Sequence, residues 1–410
     1  MVLVRLCILL LVMSVPFTWS YLTSFSGLLI RPFDLLGLII LFASLAQNRF
    51  ITNRVALIYL VLFAGLVFWI AIGSIWRSEV NSPVAIFKIT FYFLTTFALS
   101  SFFSRNEYFI SAYQFNLILL FVLLSWALFR TEFFIVIMDL PAMFGENPKR
   151  ALFIMANRIF SINLFGPLDL IEIRGVSFRN TASLGFLTVA IFVFGFMKNR
   201  FAANIIMIFF LLLTILFPSR TTLACAFLFF ILLVAANSSW KSLIYSSIII
   251  VIIAGFLVND VIISTLIDRF SKGSGGRGEM NILGLIIISE NFLFGAGSET
   301  TIEHFLRNRN VHNIPIALGS KFGFPAFFIA GTIILLNIYS FFFFLFAWWT
   351  CNEKKHKRAF ATFTVAALII AFRPNVSSSV ESFYSLPEWI CFSLILFGYS
   401  YVKALKLSAK

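Results

Sequence analysis

The sequence predicts an all-α polytopic membrane protein of about twelve transmembrane helices, with short helices in two long outward loops. Three observations carry that prediction. Of 410 residues, 60% are hydrophobic and 12% charged, and the mean hydropathy is +0.99, which excludes an ordinary water-soluble domain. Apolar runs recur from end to end, and a spanning helix needs about 20 mostly apolar residues. Runs such as "SLIYSSIIIVIIAGFLV" are solidly apolar, whereas barrel strands alternate over roughly ten residues. Lipid offers the backbone no hydrogen bonds, so helices are the remaining solution.

The first run, "MVLVRLCILLLVMSVPFTWS", imitates a signal peptide, with Arg5 ahead of an apolar stretch. Phe17 and Trp19 stand where a cleavage site would carry small residues, so this segment is expected to remain as the first span. Hydropathy places spans near 2–20, 33–47, 55–75, 84–103, 109–129, 181–198, 202–217, 221–236, 242–258, 323–349, 359–373 and 386–402. The chain then divides into a five-helix region (1–129), a first long loop (130–180), a four-helix region (181–258), a larger loop (259–322) and a three-helix region (323–410).

Orientation follows from basic residues in short connections. With the N-terminus inside, the inner connections are "NRFITNR", "SRNEY", "KNR", "SSWK", "NEKKHKR" and the tail "KALKLSAK", and every one is basic. The outer face receives "WRSEVNSP", "PSRTT", "RPNVSSSVESFYSLPE" and the two long loops. Those loops carry six basic against five acidic residues and six against six. Both termini are therefore expected in the cytosol and both long loops outside. The net charge of +14 resides in the inner connections, so no nucleic-acid partner is expected.

Within the first loop, "FFIVIMDLPAMF" and "ALFIMANRIFSINLFG" are expected to lie along the membrane interface. In the second, "MNILGLIIISENFLFG" is too short to span and is expected to be re-entrant or packed on the bundle. "SETTIEHFLRN" carries a capping box, Thr300 with Glu303. Together these pieces predict a lid of short helices over an outward cavity.

Neither the cysteines nor the histidines predict a metal. Cys7, Cys225, Cys351 and Cys391 show no pairing or ligand spacing, and three histidines form no cluster. No cofactor is expected.

Charged residues at membrane depth or on the outer rim are functional candidates, because burying them is expensive. Arg220 in "FPSRTTLACAF" lies in a connection of a few residues. A snorkelling side chain at a helix end is the plain reading, but this is the outward end, where arginine is disfavoured, and the neighbouring threonines fit an anion at a helix start. Arg277 in "GSGGRGE" is either part of a flexible connector or a guanidinium fork for phosphate or carboxylate. The stretch lacks the Lys-Ser/Thr of a nucleotide-binding loop. His312 in "NVHNIPIALGSKFGFPA" stands beside Asn313 at the outer interface, where imidazole can serve as a base; His304 is the weaker competitor. Arg174 and Arg179 in "EIRGVSFRNTASLG" lead into a span, and spacing leaves open which faces the cavity. Asp34 and Lys88 are the charges nearest to membrane depth. Outward arginines without a nucleotide motif fit a large anion such as a lipid diphosphate.

"DRFSKGSGGRGEMNILGLIIISENFLFGAGSE" resembles the large-loop signature of the O-antigen ligase/polymerase superfamily. The shared pattern is a Gly-Arg, a short apolar helix and an "NPLxGxG"-like turn, here "ENFLFGAG". "HNIPIALGSKFGFPA" is similar to that family's His-Asn followed, nine intervening residues later, by a glycine, here Gly323. "SRTTLACAFLFFILL" and "RGVSFRN" resemble its arginine-bearing leads into two earlier spans. The four segments cover the second half of the chain in the family's order. Met280 departs from a common aromatic and Ala326 from a frequent glycine. The long C-terminal outward domain of protein-glycosylating members is not matched.

The resemblance implies a GT-C-like fold and a metal-independent, inverting glycosyl transfer at the periplasmic face of a bacterial inner membrane. The donor it implies is an undecaprenyl-diphosphate-linked oligosaccharide, with a chain-length regulator and a flippase as neighbouring partners. Arg220 and Arg277 would hold the diphosphate, and His312 would take the proton from the acceptor hydroxyl. Arg174, Arg179 and Asn313 would line the substrate site. Within the family, the absence of a strongly basic outward surface for phosphorylated core sugars favours a polysaccharide polymerase over the ligase acting on lipid A-core. A lipid-linked glycan flippase is the reading from another class. Internal repeats and mid-span charges would favour it, and the notable charges here cluster in outward loops instead.

Overall fold

The computed structural model describes residues 2–17, 23–25, 28–30, 32–47, 53–77, 82–103, 145, 175–216, 220–236, 277–297, 313–372, 383 and 385–408. These are helical almost throughout. The helices are α1 (Val2–Ser14), α2 (Pro32–Ala46), α3 (Arg54–Arg77), α4 (Ser82–Phe103), α5 (Gly175–Phe196) and α6 (Arg200–Leu216). They continue as α7 (Arg220–Ala236), α8 (Arg277–Glu290), α9 (Ile314–Phe322), α10 (Phe324–Thr350), α11 (Lys354–Phe372) and α12 (Leu386–Ser408). A 3-10 turn, Val15–Phe17, follows α1 where Pro16 removes a backbone donor. Beyond it β1 (Thr23–Phe25) pairs antiparallel with β2 (Leu28–Ile30). Hydropathy does not foresee this hairpin, because three-residue strands offer too little alternation to register.

Ten of the twelve predicted segments coincide with helices; those at 109–129 and 242–258 lie outside the described residues, as does the Thr300–Glu303 box. Among the described residues, four helices are long and apolar enough to cross a membrane: α3, α4 from Ile86, α10 and α12 as far as Leu405. Shorter apolar stretches occur in α2, α5, α6 and α7. Two helices start five or more residues ahead of their predicted positions. The helix α5 begins at Gly175 and α11 at Lys354; at α11 the added residues are mostly Lys and Arg, good helix formers that a hydropathy window discards.

The chain forms two compact units. The first comprises Met1–Ile40, Asn106–Gly273 and Ala347–Val365, and the second Leu41–Arg105, Ser274–Phe346 and Ala366–Lys410.

In the first unit α5 is the central helix, and every residue from Ala182 to Met197 is buried. Asn199 turns the chain into α6, its Oδ1 accepting from the N–H groups of Phe201 (3.1 Å) and Ala202 (3.2 Å), the usual service of an N-cap. The two helices run antiparallel, with the Ser183 hydroxyl donating to the Thr214 carbonyl at 3.2 Å and Phe186 against Phe210. Alongside them, α7 sets Phe229 edge-on to Phe194 at 5.4 Å.

In the second unit α3 shows why these helices need lipid. Its buried residues, Ala56, Tyr59, Phe63, Leu66, Ile70 and Gly73, recur every three or four positions and so form one stripe. The opposite face carries Leu57, Val61, Phe68 and Ile75, all well exposed. A water-facing helix would be polar there. The helix α10 repeats the design, burying Ala326, Ala330, Ile333, Asn337, Ser340 and Phe344 while exposing Phe328, Leu335, Phe342 and Phe346. Small residues bring the two helices together, with Ile329 against Gly65. Phe63 packs on Phe93 of α4 at 4.6 Å and on Trp389 and Phe392 of α12.

A polar layer fixes the register of this core. The Tyr59 hydroxyl lies 2.8 Å from Asn337 Oδ1, and Ser340 Oγ lies 2.9 Å from the Tyr399 hydroxyl. Near the N-terminal end of α3, Asn53 Nδ2 donates to Ser400 Oγ at 2.9 Å. Tyr59→Phe is expected to lower stability by about 1 kcal/mol, the scale of interhelical hydrogen bonds in membranes, read as a lower melting temperature in detergent.

Candidate functional site

The segment that carries the family resemblance folds as an interlocked helix pair in the second unit. Apolar side chains zip it together: Ile287 and Ile288 of α8 form a buried cluster with Ile316 and Ala317 of α9 and with Ala296, flanked by Met280, Leu283 and Phe327. Ile288 lies closest to Gly319, and Phe292 is bonded to Phe324. The two helices therefore run in the same direction and converge at their C-terminal ends.

That convergence answers a physical problem. A helix leaves its last four carbonyls without intrahelical donors, and in an apolar setting no water supplies them. At the end of α9 all four find partners. The Gly319 carbonyl accepts from Gly323 N–H (2.7 Å), Ser320 from Ala296 (2.8 Å) and Lys321 from Gly297 (3.1 Å). The Phe322 carbonyl accepts from the Trp69 indole N–H at 2.9 Å. The Phe324 N–H returns the link to the Phe292 carbonyl at 2.7 Å.

Two glycines make this approach possible. Gly295 has φ +69° and Gly323 φ +87°, in the left-handed region that other residues rarely enter. A Cβ on Gly323 would collide with the Leu293 carbonyl. The turn that follows α8 docks on α3, with Phe294 stacked on Trp69 (5.7 Å) and Trp76 (5.1 Å). The "ENFLFGAG" turn and the nine-residue spacing from Asn313 to Gly323 are thus architectural, since those nine residues are α9 itself.

The predicted site residues fall as follows. Arg277 is the first residue of α8, so the glycine-rich stretch delivers it to a helix start. Asn313 is the N-cap of α9, its Oδ1 accepting from Ile316 N–H at 3.2 Å, a structural duty beside the expected contact with substrate. Both helices start on the side of the pair remote from the turn, and each start carries about half a positive charge. Arg220 is the first residue of α7. Arg179 lies inside the first turns of α5. His312, Arg174 and His304 lie outside the described residues. Lys88 is half-buried in α4 and Asp34 half-buried in the first turn of α2, where a carboxylate suits the helix dipole.

Sequence reasoning missed Glu388, fully buried at the start of α12, where its Oε2 accepts from the Ser385 N–H at 2.5 Å. The signal was present as Ser-Leu-Pro-Glu, a capping box. Among the described residues no group of three or more His, Cys, Asp or Glu side chains is placed to hold a metal ion.

Asn313→Asp is expected to preserve stability, because Asp caps as well as Asn. Asn313→Ala is expected to lose about 1 kcal/mol, measured by thermal melting. If Asn313→Asp melts like the wild type and Asn313→Ala melts earlier, the residue acts as a cap; an Asp variant as unstable as Ala would contradict that role.

No family model and no curated protein matches this sequence.

Proposed function

We propose that this protein is a membrane glycosyltransferase that joins an undecaprenyl-diphosphate-linked glycan to an acceptor at the periplasmic face, as a polymerase of O-antigen or a related surface polysaccharide. The supporting observation is the interlocked pair α8–α9. The stretch resembling the family's large loop is a built element, with every C-terminal carbonyl of α9 satisfied and Arg277 and Asn313 at its two helix starts.

In this reading the chain is a twelve-span protein of the inner membrane with both termini in the cytosol. Arg220 and Arg277 contact the donor diphosphate and offset the charge that develops as it leaves. His312 accepts the proton of the acceptor hydroxyl as its oxygen attacks the anomeric carbon, the C–O bond to diphosphate breaks, and configuration inverts. Holding donor and acceptor in one orientation is worth up to about 7–11 kcal/mol for well-aligned groups.

The test uses the purified full-length chain in detergent, where transport has no meaning, supplied with lipid-linked repeat units alone. A ladder of elongated products identifies a polymerase. Product formed only after lipid A-core is added would identify the ligase. No glycosidic bond under either condition would remove the enzyme reading and leave the flippase.

A further inference from the structure

The second unit leaves one face of α8 uncovered. Ile282, Leu285 and Ile286 are exposed there, and Phe292 and Leu293 continue the exposure into the turn. Spacings of three and four residues put the helical positions on one side, away from Ile287 and Ile288, which are buried against α9. The uncovered surface does not stop at the helix. Phe292 stacks on Phe324 at 4.8 Å, and Phe324 on Phe328 at 6.3 Å, where the exposed apolar stripe of α10 begins. On the other side of the turn, Phe294 stacks on Trp76, which is exposed beside Ile75 at the C-terminal end of α3. The face of α8 is therefore continuous with the two helix surfaces that need lipid. Two acids set its direction. Glu279 and Glu290 are both exposed and stand eleven residues apart, about three turns, so they share one line along the helix. Charge in hydrocarbon is costly, so that line must follow the water. A helix plunging into the bilayer would set one carboxylate about 16 Å below the other.

We infer that α8 is an interfacial helix, lying along the membrane surface with Ile282, Leu285, Ile286, Phe292 and Leu293 against the acyl chains of phospholipid. Helices of this kind bury their apolar face about 5–10 Å into the boundary between headgroups and chains, with the polar edge in water. Arg277, the first residue of α8, is then carried at the depth of lipid phosphates. The inference needs only that α3 and α10 lie in a bilayer and is independent of glycosyl transfer.

The experiment places one nitroxide label at a time on the full-length chain, as Glu279→Cys, Ile282→Cys, Leu285→Cys, Glu290→Cys or Phe328→Cys. Each chain also carries Cys351→Ser, the other three cysteines being buried, and is reconstituted in vesicles of phosphatidylethanolamine and phosphatidylglycerol. Collisions are read with oxygen, which concentrates in hydrocarbon, and with a water-soluble nickel chelate. Oxygen is expected to dominate at Ile282 and Leu285, as at Phe328 on the lipid-facing stripe of α10, and nickel at both acid positions. If a label at Ile282 prevents folding, Ile286→Cys carries the same reading. Nickel dominating at Ile282 and Leu285 would place the face in water, and low collision with both reagents would place it under protein. Oxygen dominating at Glu290 with nickel at Glu279 would mean a plunging helix. Each of these three results would overturn the inference.

Discussion

Arg277→Ala is expected to abolish surface polymer while the full-length chain stays in the membrane at normal abundance. Arg277 opens α8, and its neighbours Gly278 and Glu279 are exposed, with nothing within 4 Å of a Cβ built on Gly278. Little packing is therefore available to disturb, and alanine is the best helix former. The loss should appear in turnover, because a donor aimed at developing negative charge is worth about 100- to 1,000-fold in rate. Arg277→Lys keeps the charge and loses the planar fork, so it is expected to fall between wild type and Ala. Normal polymer from an Arg277→Ala chain at normal expression would end the assignment of Arg277 to the diphosphate.

Gly323→Ala is expected to show the opposite pattern, with loss of folded protein and activity together. The left-handed φ of +87° costs a residue with a Cβ about 1–2 kcal/mol. The Cβ would also meet the Leu293 carbonyl, with the Phe292 oxygen 2.8 Å away. Backbone on both sides leaves no side chain to yield, and relieving such overpacking typically costs a further 1–3 kcal/mol. Separating the strands of this turn would also release the bonds from Ala296, Gly297 and Phe324. A total loss of about 3 kcal/mol or more should be visible as reduced yield and an early melting transition. A Gly323→Ala chain with wild-type melting behaviour would contradict the interlocked turn. Together the two variants separate chemistry from architecture within one motif.

Much of the fold is legible because hydropathy measures the quantity that decides it. Long apolar runs such as Arg54–Arg77 and Phe324–Thr350 become helices, since backbone groups in lipid can only bond within their own segment. The ends of those helices are less legible. The helix α11 begins with five residues of which four are Lys or Arg, and its start follows from helix propensity, to which a hydropathy window is blind. Periodicity also shows which face of α3 is buried only after the structure is known, because Leu57 and Val61 outside are as apolar as Phe63 and Leu66 inside.

By itself, the sequence determined that this chain is helical and apolar enough for a membrane, and it singled out Arg277 with the "ENFLFGAG" turn and Asn313 with Gly323 as two separate segments. Tertiary structure alone decided what most of those residues are for. One of the four terminal carbonyls of α9 is paired locally, by Gly323, but the donors to the other three come from Trp69 in α3 and from a turn some twenty-five residues upstream. Such partners are set by three-dimensional packing, and no local pattern of residues encodes them.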